Sequence, residues 1–135
     1  VVGAALYCAL AEMRIPCLWL PSGAKTFIAT YFPDASCIYA EREREDGHRE
    51  FEVKLSDGTD IEFHASGEWK KVDCGYSFLP AGIVPAAIVE DLAVRYPGAK
   101  IYKAERERGG YEIKITGGLE LIYSADGTFV REDMY

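Results

Sequence analysis

The chain has 135 residues, of which 49% are hydrophobic and 27% charged, and its formal net charge is −7. This length suits one globular domain or two very small ones, and the apolar fraction can form a packed core. The acidic balance disfavours nucleic-acid binding, because contact with phosphates requires clustered basic side chains. An acidic surface instead promotes solubility and attracts cations or basic proteins.

Residues 1–11 carry no charge and are rich in small apolar side chains. They include Ala9-Leu10-Ala11, which has the A-x-A form of a signal-peptidase site. We interpret residues 1–11 as the remnant of a signal peptide, so we expect a periplasmic or secreted protein; the alternative is a buried N-terminal strand or helix. Eleven residues are too few to span a bilayer, and we expect no membrane span in the mature chain.

Three cysteines would remain after removal of a signal peptide: Cys17, Cys37 and Cys74. An exported protein could hold one disulfide among them, but their spacing does not assign the partners. The sequence has no C-x-x-C pair, so zinc binding and thioredoxin-type redox chemistry have no support.

The pentapeptide AERER occurs twice, at residues 40–44 and 104–108. A shift of 64 residues aligns these copies and also aligns Pro21 with Pro85. Beyond the pentapeptide the shift becomes 60, and FEVKL at 51–55 then matches YEIKI at 111–115. Prolines, glycines and aromatic residues that align in one order indicate an internal repeat. We expect a first repeat at 12–73, a connector at 74–84 and a second repeat at 85–135.

Each repeat begins with a predicted helix, at residues 22–32 and 85–96. A proline lies at the start of each, and Pro33 or Pro97 follows its end, as is typical of helix boundaries. Apolar residues then alternate with charged ones, which indicates strands with one buried and one solvated face. Glycine-containing turns separate the strands. The predicted fold class is therefore α+β, with α-β-β-β units, each able to hold a fourth strand.

Both copies of AERER lie on the first predicted strand of their repeat. By alternation, one face of that strand carries Ile38, Ala40 and Arg42 in the first copy and Tyr102, Ala104 and Arg106 in the second. The other face carries Tyr39, Glu41, Glu43, Ile101, Lys103, Glu105 and Glu107. We interpret the pentapeptide as charge pairing between neighbouring strands on the solvated face, which also discourages edge-to-edge aggregation.

A wider signature joins these elements. Its first half comprises Leu20-Pro21, Tyr31-Phe32-Pro33-Asp34-Ala35, Phe51-Glu52-Val53-Lys54-Leu55-Ser56-Asp57-Gly58 and Gly67-Glu68-Trp69. Its second half comprises Pro85, Tyr96-Pro97, Tyr111-Glu112-Ile113 and Asp126-Gly127. Over residues 14–133 the chain resembles the β-lactamase-inhibitor-like, PepSY-like proteins exported by gut Bacteroidetes.

The resemblance implies two tandem units that form one antiparallel sheet with the helices on one face, and a periplasmic or surface location. It also implies roles in restraining peptidases or other enzymes, and a calcium response in some relatives. The family offers no inhibitory motif to transfer. The Phe-Asp pair usual before its turns is replaced by Phe63-His64 and Tyr123-Ser124, which argues against a cation site built on those aspartates.

The sequence gives no catalytic residue, because the G-x-S-x-G, H-E-x-x-H and P-loop patterns are absent and neither histidine neighbours a nucleophile. We therefore expect a protein that is not an enzyme and needs no cofactor. Carboxylates near turns are ligands of the kind that calcium prefers, and the candidate calcium ligands are Asp57, Asp60 and Asp126.

The leading functional hypothesis is binding of a protein or peptide in the cell envelope through the open face of the sheet. A calcium- or small-ligand-responsive protein and a structural envelope component are the alternatives. For Trp69 and Phe129, a position in the core is the alternative to binding. The candidate binding residues are Tyr39, Glu41, Glu43, Trp69, Ile101, Glu105 and Phe129.

Overall fold

A computed structural model describes residues 12–45, 47–107 and 109–134. The interpretation of residues 1–11 as a signal-peptide remnant lies outside the described residues. Within them, no helix combines the length and the apolar character that crossing a membrane would need.

The chain divides into two compact units after Trp69. The first unit contains β1 (Glu12–Arg14), a 3₁₀ helix (Cys17–Trp19), α1 (Ser22–Tyr31), β2 (Cys37–Glu45), β3 (His48–Leu55) and β4 (Asp60–His64). Strand β5 (Trp69–Asp73) contains the division point. The second unit continues with α2 (Ala86–Arg95), β6 (Ile101–Glu107), β7 (Gly110–Ile115), β8 (Leu119–Ser124) and β9 (Phe129–Met134).

The strands follow one another in chain order in a nine-stranded sheet, and the pairings are antiparallel. This arrangement confirms the predicted α+β fold with tandem units and one antiparallel sheet. The division after Trp69 lies a few residues before the predicted limit at residue 73. The predicted connector packs against its own unit, since Cys74, Ile83 and Val84 are buried.

The two helices begin and end in the same way. Pro21 and Pro85 precede them with nearly equal backbone angles, φ −53° and ψ 146° against φ −55° and ψ 145°. Proline fits this position because its missing N–H would have no partner inside the helix. Phe32 and Tyr96 end the helices outside helical geometry.

In each unit the helix covers one face of the strands. Ile28 of α1 and Ile88 of α2 are buried at these contacts. The two middle strands of each unit contribute almost fully buried side chains to the core: Val53, Leu55, Ile61 and Phe63 from β3 and β4, and Ile113, Ile115, Leu121 and Tyr123 from β7 and β8. The strand residues between them point to the opposite face, which carries the charged side chains.

A glycine in each unit lets a turn approach the helix. Gly67 has φ +92°, and a Cβ atom there would lie 3.1 Å from the Cα atom of Gly23 on α1. Gly127 has φ +87°, and a Cβ atom there would lie 2.8 Å from the Cβ atom of Ala87 on α2. Both positions thus require a residue that tolerates positive φ and has no side chain.

A β-bulge interrupts the first long strand of each unit. The register shifts between Cys37 and Tyr39 in β2, and between Ile101 and Lys103 in β6. The extra residue reverses the alternation on its N-terminal side. The predicted position of Ile101 on the solvated face is therefore wrong: Ile101 pairs with Ile115 and is buried on the helix side.

A disulfide joins Cys17 to Cys37, with 6.2 Å between their Cα atoms. It connects the 3₁₀ helix to the start of β2 within the first unit. Cys74, in the second unit, is buried and does not take part in this disulfide. A disulfide fits an oxidising compartment outside the cytoplasm.

Candidate functional site

Three carboxylates converge on the strand face opposite α1. Glu41 and Glu43 come from β2 and Glu52 from β3, and one oxygen of each lies within 4.8 Å of the others. We call this group the first acidic cluster. Successive side chains of a strand point to opposite faces of the sheet. Ala40 points into the core, so Glu41 and Glu43, on either side of Arg42, point to the opposite, solvated face.

The second unit has the same arrangement. Glu105 and Glu107 of β6 and Glu112 of β7 form the second acidic cluster, again with carboxylate oxygens within 4.8 Å of one another. The two clusters occupy equivalent positions of the repeat. Within the described parts of the chain, these are the two groups of three or more metal-ligating side chains that come this close.

The environment of the second cluster disfavours charge on two of its members. Partial burial raises the pKa of Glu105, and the neighbouring Glu107 raises it further. Partial burial also raises the pKa of Glu112, with added repulsion from Glu120 and Glu105. The cluster would therefore be stabilised by a cation or by a positively charged partner surface.

The register sets like charges opposite one another. Glu41 pairs with Glu52, and Glu52 with Glu62, across three neighbouring strands. Glu105 likewise pairs with Glu112. Like charges directly opposite in a sheet are destabilising. On its other neighbouring strand, however, Glu41 faces Arg14 and Glu105 faces Lys71. The expectation that AERER provides opposite-charge pairing is thus confirmed on one side of these two glutamates and wrong on the other.

Opposite charges also meet on the same faces. Lys54 lies 3.3 Å from Asp60 in the first unit. In the second unit, Lys71 pairs in register with Glu105, and Lys114 with Glu120. Each of these strand faces therefore carries both acidic and basic side chains, and the acidic clusters are local concentrations of negative charge within it.

Tyr39 lies beside the first acidic cluster, as predicted. Its hydroxyl donates a hydrogen bond to the Glu41 carboxylate, and this bond raises the pKa of Tyr39. The Arg14 guanidinium carbon lies 4.0 Å from the centre of the Tyr39 ring. The solvated face of the first unit thus offers one half-buried aromatic ring next to its carboxylates.

The remaining aromatic candidates do not lie on this surface. Trp69 is only 6% exposed, so it belongs to the core and offers no contact surface. Phe129 pairs with Tyr123 after a register shift that leaves Val130 of β9 without a partner residue in register, and it packs against the Tyr123 ring on the helix side. The placement of Phe129 in a binding surface is therefore wrong, and the alternative of a position on the core side is the one that the structure shows.

The three candidate calcium ligands near turns are held by local contacts. Asp57 accepts a hydrogen bond from the Thr59 amide at 2.9 Å. Asp126 accepts hydrogen bonds from the Ser124 hydroxyl and the Thr128 amide, which lower its pKa. Asp60 pairs with Lys54. The structure does not bring these aspartates together, and the carboxylates that do converge lie on the strands.

A polar network on the helix side of the second unit was missed by the sequence reasoning. The Tyr123 hydroxyl donates to Asp91 at 2.7 Å, and Arg95 binds the same carboxylate through two nitrogens at 3.0 and 3.2 Å. These contacts lower the pKa of Asp91. The Arg95 guanidinium stacks 3.5 Å from the centre of the Phe129 ring. The i, i+4 spacing of Asp91 and Arg95 was the available signal.

Comparison with known proteins adds a family to this geometry. The sequence profile of the family described as "Putative beta-lactamase-inhibitor-like, PepSY-like" matches residues 49–131. No protein with a curated description matches the chain.

Three solved structures of Bacteroides proteins are similar over most of their length. One, from Bacteroides thetaiotaomicron, is described as a "putative calcium-regulated periplasmic protein"; it is 31% identical, covers 90% of this chain and 96% of its own, and gives a TM-score of 0.86. One from Bacteroides vulgatus, described as a putative periplasmic protein of the DUF2874 family, is 34% identical with the same coverage and TM-score. A second from that organism, described as a putative periplasmic protein of unknown function, is 31% identical over 90% and 98% of the two chains, with a TM-score of 0.87. These relatives confirm the predicted periplasmic location.

Proposed function

The chain belongs to the β-lactamase-inhibitor-like, PepSY-like family, and from this premise we propose that it is an exported, non-enzymatic protein that binds a basic partner protein or peptide through its acidic strand face. The observation that carries the proposal is the convergence of three carboxylates, at equivalent positions in both units, on the strand face opposite the described helix of each unit. The partner we expect is a cell-envelope enzyme, such as a peptidase, whose activity the protein restrains.

The energetics of the face support a partner with positive charge. Glutamates placed opposite one another reduce the stability of the free protein. A lysine- or arginine-rich surface would relieve this repulsion on binding and would also accelerate the encounter. The acidic strand face does not include the side chains of Trp69, Ile101 and Phe129. We therefore expect electrostatic complementarity to contribute more to recognition of the partner than aromatic contacts do.

The test compares two charge-matched variants. Glu105→Gln with Glu112→Gln removes two charges from the second acidic cluster, whereas Glu68→Gln with Asp34→Asn removes two charges from exposed turns. Each protein is immobilised, exposed to periplasmic extract and analysed by mass spectrometry, and the retained proteins are then tested individually by calorimetry. We expect a basic partner that binds the wild type and the control equally, binds the cluster variant at least fivefold more weakly, and dissociates as salt is raised. Equal binding to both variants would contradict the proposal.

A calcium-responsive protein is the second candidate. Calcium prefers six to eight oxygen ligands, and the clusters supply carboxylate oxygens on adjacent strands. The relative from Bacteroides thetaiotaomicron is described as calcium-regulated, which favours this candidate over other ions.

Thermal unfolding distinguishes this candidate from the first. A ligand at 100 times its Kd stabilises the folded state by about 2.7 kcal/mol, so specific calcium binding would raise the Tm measurably. We expect the rise with the wild type and the Glu68→Gln, Asp34→Asn control, and its loss in a variant with Glu41, Glu52, Glu105 and Glu112 all replaced by Gln. An equal rise in magnesium or sodium chloride of the same ionic strength would show screening alone and reject the calcium site.

A further inference from the structure

The second unit contains an apolar cavity outside its acidic face. The cavity has a volume of about 650 Å³ and lies between the connector, α2 and the start of β6. Buried Val84, Leu92 and Ile101 line its interior, and the more exposed Phe78 and Val89 lie on its wall. Cavities of this size and apolar character are typical of small-ligand sites.

The equivalent place in the first unit is built differently. The shift of 64 residues places Cys17 over Ala81, Lys25 over Val89 and Cys37 over Ile101. In the first unit the two cysteines are joined by the disulfide, and the Lys25 ammonium donates to the Leu18 carbonyl at 3.0 Å. The remaining space there is about 460 Å³. The second unit replaces the cross-link and the lysine with apolar side chains, which leaves a larger and more apolar cavity.

Two features at this cavity favour an anionic group. The Lys100 side chain borders the cavity, and its ammonium lies 5.0 Å from the centre of the Phe78 ring. The backbone of Lys100 is fixed by hydrogen bonds with Thr116. Ala86, the first residue of α2, also lines the cavity, and no side chain caps that helix terminus, where the helix dipole is positive. Glu90 is the opposing charge on the lining.

We propose that this cavity binds a small amphipathic carboxylate, with its acyl chain inside the cavity and its carboxylate beside Lys100 and the start of α2. The apolar lining supplies the affinity, because each buried CH₂ strengthens binding. Lys100 and the helix terminus select an anion over a neutral or cationic amphiphile. The proposal concerns side chains that the acidic clusters do not include, so it stands or fails separately from the proposed function.

Titration calorimetry with decanoate, kept below its critical micelle concentration, tests the proposal. We expect one site per chain, with octanoate binding about tenfold more weakly than decanoate because two fewer CH₂ groups are buried. Lys100→Gln is expected to weaken decanoate binding about two- to fivefold without affecting 1-decanol. Glu90→Gln is expected to strengthen decanoate binding.

A matched pair of variants locates the site. Val89→Glu adds a negative charge to the cavity wall, whereas Val94→Glu makes the same change at an exposed position of the same helix outside the cavity. We expect the first to abolish decanoate binding and the second to leave it intact, with both proteins folded by circular dichroism. Failure of decanoate to bind the wild type, or equal weakening by the two variants, would overturn the site. Equal effects of Lys100→Gln on decanoate and 1-decanol would overturn the assignment of the carboxylate.

Discussion

Tyr123 and Phe63 occupy equivalent strand positions, yet they meet different side chains on their helices. Tyr123 donates a hydrogen bond to Asp91 of α2. Phe63 instead meets the ring of Phe27 on α1 edge-to-face, with 5.5 Å between centroids. Since Phe27 is the repeat equivalent of Asp91, one position of the architecture accepts either an aromatic contact or a charge-assisted hydrogen bond.

Removing the Tyr123 hydroxyl should destabilise the protein. Tyr123→Phe would remove this hydrogen bond and leave the Asp91 carboxylate paired with Arg95, and we expect the free energy of unfolding to fall by about 1–2 kcal/mol. Urea denaturation measures the change. Asp91→Ala alone and together with Tyr123→Phe completes a double-mutant cycle, and a coupling energy near zero would show that the hydrogen bond contributes nothing.

Neutralising Glu112 should stabilise the protein at neutral pH. The folded-state pKa of Glu112 is raised, so its contribution to stability is fully present below the unfolded pKa and is lost as pH rises through the folded value. We therefore expect Glu112→Gln to gain up to about 1 kcal/mol at pH 7 and nothing at pH 3.5.

Chemical denaturation at the two pH values measures this difference, with Glu68→Gln at an exposed turn as the control. A gain that is equal at both pH values would point to packing or propensity and not to charge.

The sequence could predict that Glu41, Glu43 and Glu105 lie on a solvated face, because alternation fixes the face. It could not predict their like-charged partners, because that depends on strand register.

At the scale of elements, the alternation of apolar and charged residues was enough to predict the strands, and the prolines were enough to bound the helices. The bulges could not be predicted, because neither β2 nor β6 carries a glycine at the register shift. A single additional residue therefore misplaced Ile101. The Cys17–Cys37 pairing was likewise inaccessible, since three cysteines at these spacings allow several pairs.

The disulfide should contribute strongly to the stability of the first unit. It joins residues 20 positions apart, and replacing both cysteines by serine should lower the free energy of unfolding by about 2–4 kcal/mol. Thermal or urea unfolding measures the loss. Oxidised wild type treated with a reducing agent should lose as much, whereas the serine variant should not respond to the reductant. Equal stability of the oxidised and reduced proteins would contradict the prediction.

At the scale of the whole molecule, the order of strands follows their order along the chain, with hairpins inside each unit and helix-containing connections before β2 and β6. Alternation and turn residues predicted the hairpins, and the family resemblance implied the single antiparallel sheet, which the structure confirms. The exact division after Trp69 was harder to predict, because β5 continues without a glycine or proline at that point. The net charge of −7 adds to the local repulsion within the acidic clusters.

Moderate salt should stabilise the free protein. Screening reduces both the net repulsion and the repulsion between opposed glutamates, so we expect the Tm to rise by a few degrees between 0.01 and 0.15 M sodium chloride. The variant with Glu41, Glu52, Glu105 and Glu112 replaced by Gln should respond less. A Tm that falls with salt would show that the Lys–Asp and Lys–Glu contacts dominate the face.

The cross-link between Cys17 and Cys37 also affects how the protein should be produced. Protein synthesised in a reducing cytoplasm would have the same amino-acid sequence as protein exported by its host. The two preparations would differ in the disulfide that holds the 3₁₀ helix against β2. Thiol titration of each preparation would reveal which form it holds: one free sulfhydryl from Cys74 is expected among the three described cysteines of the exported form, and three in the other.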